Sequence, residues 1–325
     1  MTDPDLVPAT GSARPFEHLS TGSTFADIVN HPAFAGFGDY MVPWESGETA
    51  EITRPLTVEA LAPHLGAWDP RTMVDGLNFL IDLVNQGRTI FHPLYSEGEI
   101  AAEPDKAAAG LFFVPGVPGR PLALVAAGGG FTSVASIQEG FPHAKALNAL
   151  GYNVAVLKYR ISKDGNDEND DKSVPLARAN EDLARAMSLL AERAVAWDIG
   201  LDDYSVWGSS AGGRLVSSWG TDGPLGARAH GFHPPAVIIT AYPGTPFGPY
   251  SASFPPYFVT VAADDELISV AALDHLVDDL RSQGVDVEYR RTDAGGHGYG
   301  LGTGTPADGW LGHAVAFWRS HSTAG

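Results

Sequence analysis

Tyr204-Ser205-Val206-Trp207-Gly208-Ser209-Ser210-Ala211-Gly212-Gly213-Arg214 is the stretch whose reading decides this chain. The run from Tyr204 to Trp207 reads as a short apolar strand and Arg214 to Trp219 as a helix, with G-x-S-x-G between them, centred on Ser210. A strand that turns at once into a helix across such a pentapeptide is the setting of a nucleophile elbow, where the central serine sits on a tight, strained turn. Gly208 and Gly212 stand two residues either side of Ser210, where a Cβ would collide as strand and helix cross. Ser209 fits worse, because its equivalent flanks are Trp207 and Ala211. Ser210 is therefore the candidate nucleophile. A plain Gly/Ser turn in an α/β protein would carry the same five residues, so the assignment depends on partners elsewhere in the chain.

A serine nucleophile needs a base and an acid to orient that base, and behind an elbow they follow in the order Ser, Asp or Glu, His. Of eleven histidines six come after Ser210, and of these His230 and His233 precede the strand expected to carry the acid, which leaves His275, His297, His313 and His321. His275 and His313 fall in helical runs and His321 in a small-residue tail. His297 alone lies in a glycine-rich loop, Gly295-Gly296-His297-Gly298-Tyr299-Gly300, directly after the strand-like run Val285 to Arg291. Loops held at strand ends are where catalytic side chains are presented.

The acid is expected at the carboxyl end of the strand Tyr257 to Ala263, which runs into Asp264-Asp265-Glu266. Asp265 is favoured because Leu267-Ile268 after it can anchor the loop into the core. Asp264 is the rival, and Glu266 is the third candidate. A further apolar strand, Pro121 to Ala127, ends in Gly128-Gly129-Gly130-Phe131. Main-chain N–H groups of such a loop can point into a cavity and, with the N–H of Ala211, stabilise an oxyanion. The loop has neither the G-x-x-x-x-G-K-[ST] nor the G-x-G-x-x-G spacing of phosphate-binding turns.

With these pieces in place, the chain resembles an α/β-hydrolase of the esterase branch that includes hormone-sensitive-lipase-like esterases and acetyl-xylan-esterase-like carbohydrate esterases. The resemblance is carried by Gly128-Gly129-Gly130-Phe131, the strand end Leu157-Lys158-Tyr159-Arg160, the helix from Pro175 to Trp197, the elbow, Asp265-Glu266-Leu267-Ile268 and Gly296-His297-Gly298, in that order over about residues 110 to 320. Ala127 stands where that family usually has His or Pro before the glycine loop. The resemblance implies Gly129, Gly130 and Ala211 as the oxyanion donors, no cofactor, no metal, and a small-molecule ester substrate with a short, acetyl-type acyl group on a carbohydrate. Phe131, Ser209, Trp44 and Tyr299 are candidate substrate-binding residues.

The rest of the chain sets the frame. Apolar strands near 111-114, 121-127, 153-159, 203-207, 236-241, 257-263 and 285-291 alternate with helices near 137-150, 176-196, 211-219, 270-283 and 306-320. That alternation is the signature of an α/β fold with a mostly parallel central sheet flanked by helices. Residues 106-325 are expected to form the catalytic domain, and residues 1-105, with helices near 57-65 and 70-86, an amino-terminal extension or cap. Phe34, Phe37, Tyr40 and Trp44 in that extension could line an acyl or sugar pocket, or simply attach it to the core.

Zero cysteines exclude disulfides, thiolate metal sites and a cysteine nucleophile. A net charge of -19 makes nucleic acid and anionic membranes poor partners. The start, Met1-Thr2-Asp3-Pro4-Asp5-Leu6, has no basic and apolar leader pattern, and no stretch approaches a membrane span, so a cytoplasmic location is the expectation, with the oligomeric state open. The acidic run Asp164 to Asp171 fails the EF-hand template and reads as a solvated loop. The expected activity is that of a serine carboxylic ester hydrolase. A peptidase or amidase with the same triad and a non-catalytic ligand-binding relative are the alternatives.

Overall fold

The structure, a computed structural model, describes residues 14-44, 47-162, 172-244 and 250-323. Its strands are β1 (Phe91–Pro93), β2 (Gly110–Val114), β3 (Pro121–Ala126), β4 (Asn153–Lys158), β5 (Gly200–Ser209), β6 (Val237–Ala241), β7 (Tyr257–Ala262) and β8 (Val287–Thr292). They form one eight-stranded sheet in the order β1-β2-β4-β3-β5-β6-β7-β8. β2 runs antiparallel to both β1 and β4, and every other pairing is parallel. β2, β3, β4, β6 and β7 are buried at every position, as apolar runs must be when a parallel sheet is covered on both faces.

Six helices matter for the site: α1 (Pro70–Asn85), α2 (Phe141–Ala149), α3 (Ser173–Arg193), α4 (Ser210–Trp219), α5 (Val270–Ser282) and α6 (Trp310–Ser320). α1 starts where it does because Asp69 accepts the N–H groups of Arg71 and Thr72 and Pro70 fills the first helical position, which needs no N–H. Met73, Leu77, Leu80 and Ile81 then recur at helical spacing and are fully buried. The chain enters β3, leaves to one side for β4, and returns to the other side for β5. The carboxyl ends of β3 and β5 therefore flank the switch point where open α/β sheets bind ligands.

All seven strands expected from sequence are present. β1 has no counterpart in that reading, because three residues are too few to show a period. It lies within residues 1-105, so the amino-terminal region supplies an edge strand of the sheet. The helix expected over 137-150 is divided at Gly140 into a turn, Ser136–Glu139, and α2. α6 begins at Trp310 rather than 306, because Gly302, Gly304 and Gly309 hold positive φ and turn the chain until then.

The amino-terminal region shares the core rather than resting on it. Phe34, Phe37 and Tyr40 join Phe91 of β1 and Phe112 of β2 in one cluster of rings, with Phe37 stacked on Phe91 at 5.1 Å. These three aromatics attach the region to the sheet edge. A second tie is ionic: the buried Arg160 guanidinium after β4 pairs with Asp182 of α3 at 2.9 Å and with Glu103 at 2.9 Å. Tyr95 donates to the same Asp182 at 2.6 Å. Removing the buried Asp182 from such a group typically costs about 3–5 kcal/mol, whereas Glu103 is half-exposed to solvent.

The acidic run 164-171 lies outside the described residues. Among the described residues, no helix is long and apolar enough to cross a membrane, and no cluster of three His, Asp or Glu side chains could hold a metal ion.

Candidate active site

β5 runs straight into α4 with no connecting loop, and Ser210, the first residue of the helix, takes up the turn at φ 49. A left-handed serine costs on the order of 1–3 kcal/mol and persists only where its surroundings fix it. Here the surroundings do. A Cβ on Gly212 would lie 2.1 Å from the Ala126 carbonyl oxygen and 2.5 Å from that of Ala127, and one on Gly208 would lie 2.3 Å from the Gly212 carbonyl oxygen. The glycines let β5, α4 and the end of β3 close on one another, and the partly exposed Ser210 hydroxyl is left at the crest.

His297 reaches it from the loop after β8. Its Nε2 is 3.0 Å from Ser210 Oγ, and its Nδ1 is 2.9 Å from Asp265 Oδ2 in the loop after β7. The Asp265 side chain is completely shielded from solvent and that of His297 is 17% exposed. Burial pushes the Asp265 carboxyl up, but the hydrogen bond from His297 and the N–H groups of Ile268 and Leu267 outweigh it, leaving the group below the usual carboxylate range.

The neighbouring acids point elsewhere. Asp264 accepts the N–H of Gly296 at 2.8 Å and so ties the two loops together, and Glu266 is exposed. The anchoring of Asp265 follows the sequence expectation in part: Ile268 packs against the core while Leu267 is 75% exposed, and the loop is held as well by its own main chain, whose Leu267 and Ile268 N–H groups both donate to Asp265 Oδ1 at 2.9 Å. Asp residues hold turns in this way through their side chains.

The glycine loop is set by the turn that follows it. Gly128 accepts from the N–H of Ala135, and Gly129 accepts from the N–H groups of Thr132 and Ser133 and from the Ser133 hydroxyl at 3.1 Å. In a trans peptide the N–H points opposite to the preceding carbonyl, so the N–H groups of Gly129 and Gly130 face away from this turn. Ala211 stands in the first turn of α4, where an N–H has no partner within the helix and the helix dipole favours negative charge.

The candidate substrate-binding residues fare differently. Phe131 is 2% exposed and packs on Tyr159, and Ser209 is 3% exposed at the end of β5. Tyr299 is also buried, donates its hydroxyl to Thr260 at 3.1 Å and meets Tyr242 edge-on, so it walls the histidine loop and offers no open face. Trp44 is half-buried against the core, next to Pro43, whose carbonyl accepts the N–H of Val134 behind the glycine loop.

Sequence reasoning missed Trp68 and the buried pair Glu139 and Tyr242. A Cβ on Gly298 would lie 3.3 Å from Trp68 Nε1, and one on Gly66 would lie 3.2 Å from the His297 carbonyl oxygen, so residues 66-68 of the amino-terminal region abut the histidine loop. Nothing in the Gly66-Ala67-Trp68 stretch signals this contact. The strand-end position of Tyr242, directly after β6, is a signal that the switch-point rule could have used.

This architecture, a mostly parallel sheet with the elbow after β5 and facing loops after β3, β7 and β8, is the α/β-hydrolase fold. Solved structures with TM-scores above one half bear it out. An α/β hydrolase enzyme from a Medee basin deep-sea metagenome library matches with a TM-score of 0.55 and 24% identity, over 66% of this chain and 92% of its own. An acetyl ester-xyloside bifunctional hydrolase from Caldicellulosiruptor lactoaceticus matches with a TM-score of 0.56 and 22% identity, over 71% of this chain and 95% of its own.

Among curated proteins the chain is 27% identical over 131 residues to an acetylxylan esterase of Xylanibacter ruminicola. That match takes in 40% of this chain but only 24% of the relative's length. No family model matches.

Proposed function

We propose that the protein is a serine carboxylic ester hydrolase that works through an acyl-enzyme, and that its substrates are short-acyl, acetyl-type esters of carbohydrates. The observation that carries the reading is the unbroken chain from Ser210 Oγ through both nitrogens of His297 to Asp265, at 3.0 and 2.9 Å. Ser210 attacks the ester carbonyl as His297 Nε2 takes its proton. The tetrahedral oxyanion is met by the N–H groups of Gly129, Gly130 and Ala211, each worth on the order of 3 kcal/mol in comparable sites. His297 then protonates the leaving alcohol, and water repeats the sequence on the acyl group, with His297 again as base. Asp265 holds the Nδ1 proton, which fixes the tautomer, and its shielded charge stabilises the imidazolium of each step.

Support for the acyl preference comes from two relatives, an acetylxylan esterase and an acetyl ester-xyloside hydrolase. The test is a panel of p-nitrophenyl esters from acetate to decanoate, acetylated xylo-oligosaccharides and peptide amides. Highest kcat/KM on acetate, release of acetate from the sugars and no cleavage of amides is the expected result. Preference for amides or for long acyl chains would overturn it.

A further inference from the structure

The relay leaves one carboxylate beside the site unused. Glu139 ends the turn that follows the glycine loop, and the residue is 3% exposed. Its Oε2 accepts the N–H of Gly128 at 2.6 Å and its Oε1 accepts the hydroxyl of Tyr242 at 2.9 Å. The Tyr242 oxygen in turn accepts the N–H of Gly300, three residues past His297, at 3.0 Å. Tyr242 holds φ 38 and sets its ring edge-on to the His297 imidazole with 4.9 Å between centroids. A Cβ built on Gly128 would lie 2.7 Å from both Glu139 Oε2 and Ser210 Cβ, so carboxylate, glycine loop and nucleophile are in contact.

Both partners of Glu139 are donors. An ionised carboxylate, which only accepts, satisfies both, whereas a protonated acid or an amide can turn a hydrogen against one of them. Burial raises the carboxyl above its usual range, and the Gly128 and Tyr242 hydrogen bonds and the attraction of His297 offset that rise only in part. The titratable groups around it are Tyr242 after β6, Tyr159 after β4, and Tyr299 and His297 after β8, with Asp265 beyond His297.

We propose that Glu139 is a positioning residue: through Gly128 and Tyr242 it holds the glycine loop and the His297 loop in place about Ser210, and its charge favours the protonated imidazole formed in each half-reaction. The inference rests on the ester-hydrolase reading above.

The test is kcat and KM of Glu139→Gln on p-nitrophenyl acetate across pH, per active site counted with a fluorophosphonate, with Tyr242→Phe alongside. For Glu139→Gln we expect kcat to fall about 10- to 100-fold with KM within about twofold. The acidic limb of its kcat/KM profile should move to lower pH by about half a unit, because a negative charge near the base is gone. Tyr242→Phe should lose about tenfold in kcat, since Gly300 and Glu139 each lose a partner.

A merely structural Glu139 would lower the thermal midpoint and the count of labelled sites, yet leave kcat per site and the limb unchanged, and that result overturns the proposal. Should Glu139→Gln fail to fold, full kcat per site in Tyr242→Phe overturns it and the tenfold loss supports it. A wild-type protein that neither turns over ester nor takes the label at Ser210 ends the ester-hydrolase reading and this inference together, whereas an active, labelled wild type with unaffected variants defeats Glu139 alone.

Discussion

The loops at the carboxyl ends of the strands and the amino-terminal region hold their shapes by opposite means. Around the site, non-glycine residues sit in left-handed conformations, with Phe131 at φ 61, Ser210 at 49 and Tyr242 at 38. Among the described residues before β2 no non-glycine residue does so; that region is fixed by side-chain caps at Thr24, Thr57, Asp69 and Ser96 and by the rings that join it to β1 and β2. The contrast teaches where the strain is stored. Three of the five left-handed non-glycine residues among the described ones stand about Ser210, the other two being Lys172 before α3 and Asp198 before β5, and the regular, well-capped remainder of the fold supplies the stability that keeps the three there.

The comparison is broken most sharply at Asp265. Replacing it with Asn should lower kcat by about four powers of ten through loss of the correct histidine tautomer, while Asp264→Asn, which removes only the tie to Gly296, costs far less. The reverse ranking, read from steady-state kinetics, would move the role to Asp264. The same carboxylate has a pH signature. Because its folded value lies below the unfolded one, its stabilisation is fully present above the ordinary carboxylate range and is lost as pH falls through the lowered value. Urea unfolding between pH 6 and pH 3 should therefore show a steeper loss for wild type than for Asp265→Asn.

Next in size is a pair of glycines. Gly212→Ala would drive a Cβ to within 2.1 Å of main-chain oxygen and should destabilise by about 3 kcal/mol or more. Gly312→Ala on α6 meets nothing within 4 Å and should stabilise by about 0.5–1 kcal/mol. Equal and small effects in denaturant titrations would remove the distinction between strained site and relaxed periphery.

The smallest effect concerns selectivity. Trp68, beside Gly298, and Trp44, near the glycine loop, are the tryptophans through which the amino-terminal region would screen acyl or alcohol groups. Trp68→Ala is expected to change the acetate-to-octanoate ratio of kcat/KM by roughly 3- to 10-fold, an amount typical of hydrophobic pocket contacts. Trp44→Ala is expected to change it less. A lowered thermal midpoint with an unchanged ratio would leave both residues as packing alone.

How much of this was legible in the sequence follows from how local each cause is. Ser210 could be read because its glycines flank it directly, and His297 because chain order left one histidine in a glycine loop. Asp265 could be placed by its strand end, and of the two apolar residues after it Ile268 packs on the core while Leu267 is exposed; the main-chain N–H groups that share the work leave no mark in the sequence. Glu139 could not be read. Its partner Tyr242 lies 103 residues further along, and only the sheet order brings the two together. Glu139 stands in Ser136-Ile137-Gln138-Glu139, a run that looks like the polar face of a surface helix, yet every residue in it is buried. β1 and the contact of Trp68 with the histidine loop were hidden for the same reason, since each depends on pairings that no local period records.

The account turns on Ser210, and one measurement reaches it directly: peptide mapping by mass spectrometry after reaction with a fluorophosphonate, on wild type, Ser209→Ala and Ser210→Ala, with ester turnover followed on the same samples. The account predicts a single adduct on Ser210 in wild type and Ser209→Ala, and neither adduct nor turnover in Ser210→Ala. An adduct on Ser209, or turnover that survives the loss of the Ser210 hydroxyl, would contradict it.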